Sequence, residues 1–165
     1  MESVKRVEKL QEVLGNLRYE GKASLGKNLK QAREMQDFFN EEINHHMWFE
    51  EQVVFPFLKN HLPRLEPMIW FLQAEHQDFR INLKTFKSKL EELKKTRGEG
   101  ARARIVEKIQ ETGTYLIYLL RNHVRAESEY LYQTADRELR SEEKNRLVRQ
   151  LATHHRSGSR PALRH

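Results

Sequence analysis

Residues 45–58 read HHMWFEEQVVFPFL and residues 122–132 read NHVRAESEYLY, and each stretch sets a histidine four residues before a glutamate inside an apolar run: His46 with Glu50, and His123 with Glu127. Four residues is about one helical turn, so each pair projects an imidazole and a carboxylate from one helix face. His76, in AEHQDF, lies on the stretch between them. Polar groups are costly to bury unless they pair with one another or bind a cation, so three such intrusions into apolar stripes call for a common partner. A metal ion satisfies all of them. The competing readings are core histidines bonded to their own helix, and buried ion pairs of Glu50 and Glu127 with an arginine such as Arg80. The repeated spacing together with His76 favours the metal, because buried ion pairs need excellent geometry to offset desolvation.

Outward from these stretches the periodicity is helical. The stripe Met35, Phe39, Ile43, His46, Glu50, Val53 and Phe57 advances in steps of three and four and predicts a helix over about residues 27–60. Pro56 falls inside it and removes a backbone donor, so a kink or an early end is expected there. His45 lies off the stripe and replaces His46 only if the register slips. Upstream, Val4, Val7, Leu10, Leu14 and Leu17 predict a first helix over residues 2–20, followed by a connection at Gly21 and Gly26. Downstream, Pro63 and Pro67 mark a turn into a third helix with the stripe Ile69, Leu72, His76, Phe79, Leu83, Phe86 and Leu90, which ends at the loop of Gly98 and Gly100. A fourth helix over about residues 101–135 turns Leu116, Leu120, His123, Glu127, Tyr130 and Leu131 inward. A short fifth helix, capped by Ser141 with Glu142 and Glu143 in its first turn, runs to about Thr153. Trp48, Phe49 and Trp70 thicken the core.

This pattern predicts an all-α protein: an up-down four-helix bundle over residues 1–155 with a short C-terminal helix, and a basic, disordered tail RSGSRPALRH over 156–165. The centre of such a bundle is a customary place for metal ligands. An internal repeat agrees with it. An offset of 77 residues superposes His46 on His123, Glu50 on Glu127, Val54 on Leu131 and Phe55 on Tyr132. The same offset places the counterpart of His76 just before Met1, and no histidine precedes His45.

Composition narrows the chemistry. The chain has no cysteine, so disulfides, zinc–thiolate sites and cysteine-ligated iron–sulfur clusters are excluded. A metal must then sit on nitrogen and oxygen, a donor set that suits iron, manganese or zinc. The net charge of +6 is spread among acids along every helix and reads as a solvated surface, not a nucleic-acid-binding one. No apolar run approaches the roughly 20 residues of a membrane span, and the amphipathic N-terminus is unlike a secretory signal, so the expected location is cytoplasmic, without membrane attachment. His61, His154, His155 and His165 are expected to face solvent.

The motifs together resemble the hemerythrin-like (HHE cation-binding) family. The resemblance rests on His46, Glu50, Glu51, Phe55 and Pro56, on the pair Glu75–His76, and on His123 with Glu127, and covers roughly residues 30–135. It implies a four-helix bundle holding a non-haem di-iron centre, with the two glutamates bridging and the histidines as terminal ligands. Members bind or sense dioxygen or nitric oxide, act in iron or redox sensing, or show peroxide chemistry. They usually carry a histidine on the first helix, absent here, and the oxygen carriers have a second histidine one turn after the third-helix ligand, where this chain has Arg80. The metal candidates are therefore His46, Glu50, His76, His123 and Glu127. The second metal would need an upstream histidine, water or a carboxylate such as Glu8, or the site holds one ion. Tyr130 is the expected hydrogen-bond donor to a bound ligand. The expected function is a non-haem iron protein for dioxygen, nitric oxide or peroxide, with peroxide turnover left open and no protein partner indicated. The alternatives are a metal-responsive interaction module and a metal-free bundle.

Overall fold

Three long helical stretches and a shorter C-terminal helix make up the computed structural model, which describes residues 30, 32–34, 36–37 and 39–156, the side chains of 154–156 excepted. The expected first helix, Glu8, Met35, the side chains of His154 and His155, and the tail with His165 lie outside the described residues. Helix α1 runs continuously over residues 39–61 but alternates in winding: a π turn Phe39–Ile43, an α segment Asn44–Phe49, a second π turn Glu50–Val54, and an α segment Phe55–His61. A 3-10 turn, Pro63–Leu65, leads into α2, Glu66–Lys95. Helix α3 spans residues 99–138, with the α segment Glu99–Ala126, a π turn Glu127–Tyr132 and a last α segment Gln133–Glu138. Helix α4 is Ser141–Arg156. No helix of the described residues is long and apolar enough to cross a membrane.

Pro56 does not end α1, which continues to His61. The missing amide falls just after the second π turn, where the Phe55 N–H already reaches back to the Glu50 carbonyl, five residues away. The widened turn has a spare residue, so Pro56 joins the following α segment near its start, where an absent N–H leaves nothing broken. Pro67 sits likewise in the first turn of α2. The loop from α2 to α3 is closed by Arg102, whose guanidinium donates to the carbonyls of Leu93 at 3.1 Å and Thr96 at 2.8 Å. Gly98 takes φ 93° there, a left-handed turn that a Cβ disfavours. The start of α4 differs from expectation. Ser141 is its first helical residue, and the Glu143 carboxylate reaches back to accept the Arg140 N–H at 2.9 Å, the return half of a capping box.

The described residues group into two compact units, one drawn from those up to Glu41 and from Gln77–Arg121, the other from Glu42–His76 and from residues 122–156. In the first, Phe39 meets Phe79 edge-on at 6.0 Å, and Leu83, Phe86, Leu90, Leu93, Ile105, Ile109 and Leu116 are buried. In the second, Val54, Phe55, Phe57, Leu58, Leu65, Ile69, Leu72, Leu131, Ala135 and Leu139 form the core, and α4 lays Leu147 and Leu151 over it. Trp70, expected inside, is 60% exposed: it follows Ile69 on α2 and points away from the face that Ile69 and Leu72 bury. His61 is not solvent-facing. Its ring stacks on Phe57 at 4.0 Å, its Nδ1 bonds the Phe57 carbonyl at 3.0 Å, and its Nε2 lies 3.7 Å from Glu143.

Candidate metal centre

The second unit gathers its polar interior at one place. Glu50 from α1, His76 from α2, and His123 and Glu127 from α3 are all buried, and one donor atom of each lies within 4.8 Å of all the others. His123 Nε2 is 2.7 Å from Glu127 Oε1, and His76 Nε2 is 3.0 Å from His123 Nε2, 3.5 Å from Glu50 Oε1 and 4.0 Å from Glu127 Oε1. The helical spacing read from the sequence explains the convergence: one turn separates each histidine from its glutamate, and the register of α2 turns His76 into the same interior.

Outside the cluster each buried imidazole is held from behind. Glu51 Oε1 lies 2.8 Å from His76 Nδ1, and Glu75 Oε1 lies 3.2 Å from His123 Nδ1. An ionised carboxylate only accepts, so each Nδ1 carries the hydrogen and each Nε2 turns a lone pair inward. Between two neutral rings the lone pairs facing across 3.0 Å repel, and a proton shared between them or a metal ion relieves this. In addition, Glu50 Oε1 and Glu127 Oε1 are buried and, among the described residues, accept no hydrogen bond. These oxygens and nitrogens suit a metal ion, and two imidazoles with two carboxylates are a donor set for iron, manganese or zinc.

The charges of the metal-free site are strained accordingly. Burial works to raise the Glu50 pKa, but its contacts with His46 and His76 overturn that and hold it far below the usual carboxylate range. Glu127 is pushed up to about 9 by burial and by Glu50 beside it. Burial acts to lower His76, yet Glu50 and Glu51 outweigh it and its pKa rises; His123, lowered by burial and by the charge of His76, goes the other way.

Of the five ligand candidates, four meet. His46 stands at the rim: its Nε2 is 3.2 Å from Glu50 Oε1 while its side chain is 60% exposed, and the Glu50 carboxylate beside it raises its pKa. His45 belongs to an aromatic group instead, 4.7 Å edge-on from Phe49 and stacked at 6.3 Å on Trp48. Tyr130 is 58% exposed, and the tyrosine that reaches the cluster is Tyr132, whose hydroxyl donates to Glu50 Oε2 at 2.6 Å. Burial, and then the charges of Glu50 and Glu127, push the Tyr132 pKa up, so it stays a phenol. Phe55 stacks on the His76 ring at 5.6 Å. Both aromatics stand five residues after a site glutamate, a spacing that an α-helix turns aside by about 140° and an i→i+5 turn restores. Sequence reasoning missed Tyr132 because it continued the α period past Glu127; the 77-residue repeat, which pairs Tyr132 with Phe55, held the signal.

Residues 4–135 match the family described as hemerythrin HHE cation binding domain. No curated protein and no solved structure matches.

Proposed function

Because the chain belongs to the hemerythrin HHE cation-binding domain family, we propose that it is a non-haem iron protein, holding one or two ions, that binds or senses dioxygen, nitric oxide or peroxide, or reports iron or redox state. The observation that carries this reading is the buried meeting of Glu50, His76, His123 and Glu127, with two carboxylate oxygens that accept no hydrogen bond among the described residues. When bound, iron supplies a Lewis-acidic centre able to exchange an electron with a small ligand. The chain's own part is to hold and to shield. His76 and His123 offer Nε2, and Glu51 and Glu75 fix their tautomers and ring orientation. Phe55 covers the His76 ring on one side and keeps water from it. His46, exposed at the rim beside Glu50, marks the side from which a small molecule enters.

Metal stoichiometry of the untagged chain tests this, joined to an optical spectrum taken without oxygen and again after air or nitric oxide. Iron uptake with a ligand-dependent spectrum supports the reading; a chain that takes up no metal rejects it. Steady-state consumption of peroxide separates an enzyme from a carrier or sensor. One observation favours the sensor: α4 packs directly on the π turn that begins at Glu50, so a change at that carboxylate has a short path to a surface helix. Metal-dependent proteolysis within α4 is the expected sign of it.

A further inference from the structure

We infer that Tyr132 is a positioning residue that makes the two site carboxylates unequal, tying one oxygen of Glu50 so that this group offers a metal a single oxygen, while Glu127 stays able to offer one or both. The inference rests on the metal-binding reading above. Tyr132 Oη donates to Glu50 Oε2 across 2.6 Å, a short bond of the kind a hydroxyl makes to a carboxylate. The other oxygen, Oε1, accepts no hydrogen bond among the described residues and lies 3.2 Å from His46 Nε2 and 3.5 Å from His76 Nε2. Glu50 therefore has one oxygen spoken for and one turned to the cluster, and chelation through both would break the tyrosine bond.

The internal repeat supplies the contrast. Phe55 occupies in α1 the place that Tyr132 occupies in α3, five residues beyond its glutamate, Phe55 directly after its π turn and Tyr132 as the last residue of its own. It has no hydroxyl and stacks on His76. Two near-equivalent turns thus carry a donor on one side and a hydrocarbon ring on the other. The extra residue of each π turn is what brings these positions to the site at all.

Co2+ titration of the full chain and of Tyr132→Phe tests the inference, because the intensity of the visible Co2+ bands reports coordination number. Tyr132→Phe is expected to bind Co2+ ten- to a hundredfold more weakly, with weakened bands as the freed oxygen of Glu50 joins the ion. Tyr130→Phe, altered at an exposed ring, is expected to match the unaltered chain in both. No Co2+ uptake by the unaltered chain would reject the metal-binding reading itself. Uptake with Tyr132→Phe showing unchanged bands, whether or not its affinity falls, overturns the inference alone, since a merely structural role would cost affinity without altering the ligand count. If Tyr132→Phe does not fold, the infrared difference between Co2+-loaded and metal-free unaltered chain decides. Two carboxylate band pairs of unequal splitting support the inference, and one shared splitting overturns it.

Discussion

Facing His76 and His123 across 3.0 Å, with a carboxylate behind each ring, the site leaves both inner nitrogens ready for a cation and neither dispensable. His123→Ala is expected to reduce bound metal to background, whereas His61→Ala should keep full metal and lose about 1 kcal/mol of stability with its bond to Phe57. Elemental analysis beside denaturant unfolding measures both, and equal metal loss in the two variants would sink the central assignment. Glu127 gives a pH prediction. Its folded-state pKa of about 9 lies above the ordinary 4.5, so the metal-free folded chain holds a proton that the unfolded chain releases. That contribution to stability is complete below 4.5 and is lost as pH rises through about 9, while Glu50, held low, contributes above 4.5 and loses its share as pH falls. Glu127→Gln should therefore flatten the decline of metal-free stability between those two values, as read from unfolding midpoints across that range. The histidines and glutamates were legible because a polar pair repeated at four-residue spacing inside an apolar stripe is too costly to bury without a shared partner. Glu51 and Glu75 were legible as motif residues but not in their role, because an acid beside a buried residue reads as solvated surface until a ring nitrogen is found 2.8 or 3.2 Å away.

Among the helices, winding matters more than length. The π turns Glu50–Val54 and Glu127–Tyr132 each start at a site carboxylate and shift everything after them by one position. Deleting the exposed Ser128 should convert the second turn to ordinary α winding and leave Leu131, Tyr132 and Ala135 on their present faces, because five residues of π winding and four of α winding both complete about one turn. Thermal unfolding followed by circular dichroism should therefore change little for the deletion or for Ser128→Ala, and a loss of about 3 kcal/mol, the cost of taking Leu131 from its buried place, would show that the turn does not absorb the residue. Helix existence was readable from the stripes, which place α2 and α3 within a few residues of where they lie. The π turns were not, since a period of three and four describes an α-helix and hides an added residue. The expected fate of Pro56 and the choice of Tyr130 over Tyr132 both followed from that hidden residue.

Over the molecule as a whole, the family match at residues 4–135 ends before α4, yet α4 covers the core around the site with Leu147 and Leu151 and holds His61 near Glu143. Ending the chain after Arg140 should lower stability by about 2–3 kcal/mol, from two half-covered leucines and the apolar surface they shield. Weaker metal binding should accompany it, measured by Co2+ titration. The bundle expected from the sequence has its first helix outside the described residues, so the all-α class and the later helices carry the comparison. The aromatic group at His45, Trp48 and Phe49 has one further consequence. The chain has only two tryptophans, one two residues before Glu50 and the other, Trp70, 60% exposed. In a Trp70→Phe chain all indole fluorescence comes from Trp48, and a paramagnetic ion settling at Glu50 should extinguish it, so that loading can be followed by the fading of light the protein itself emits.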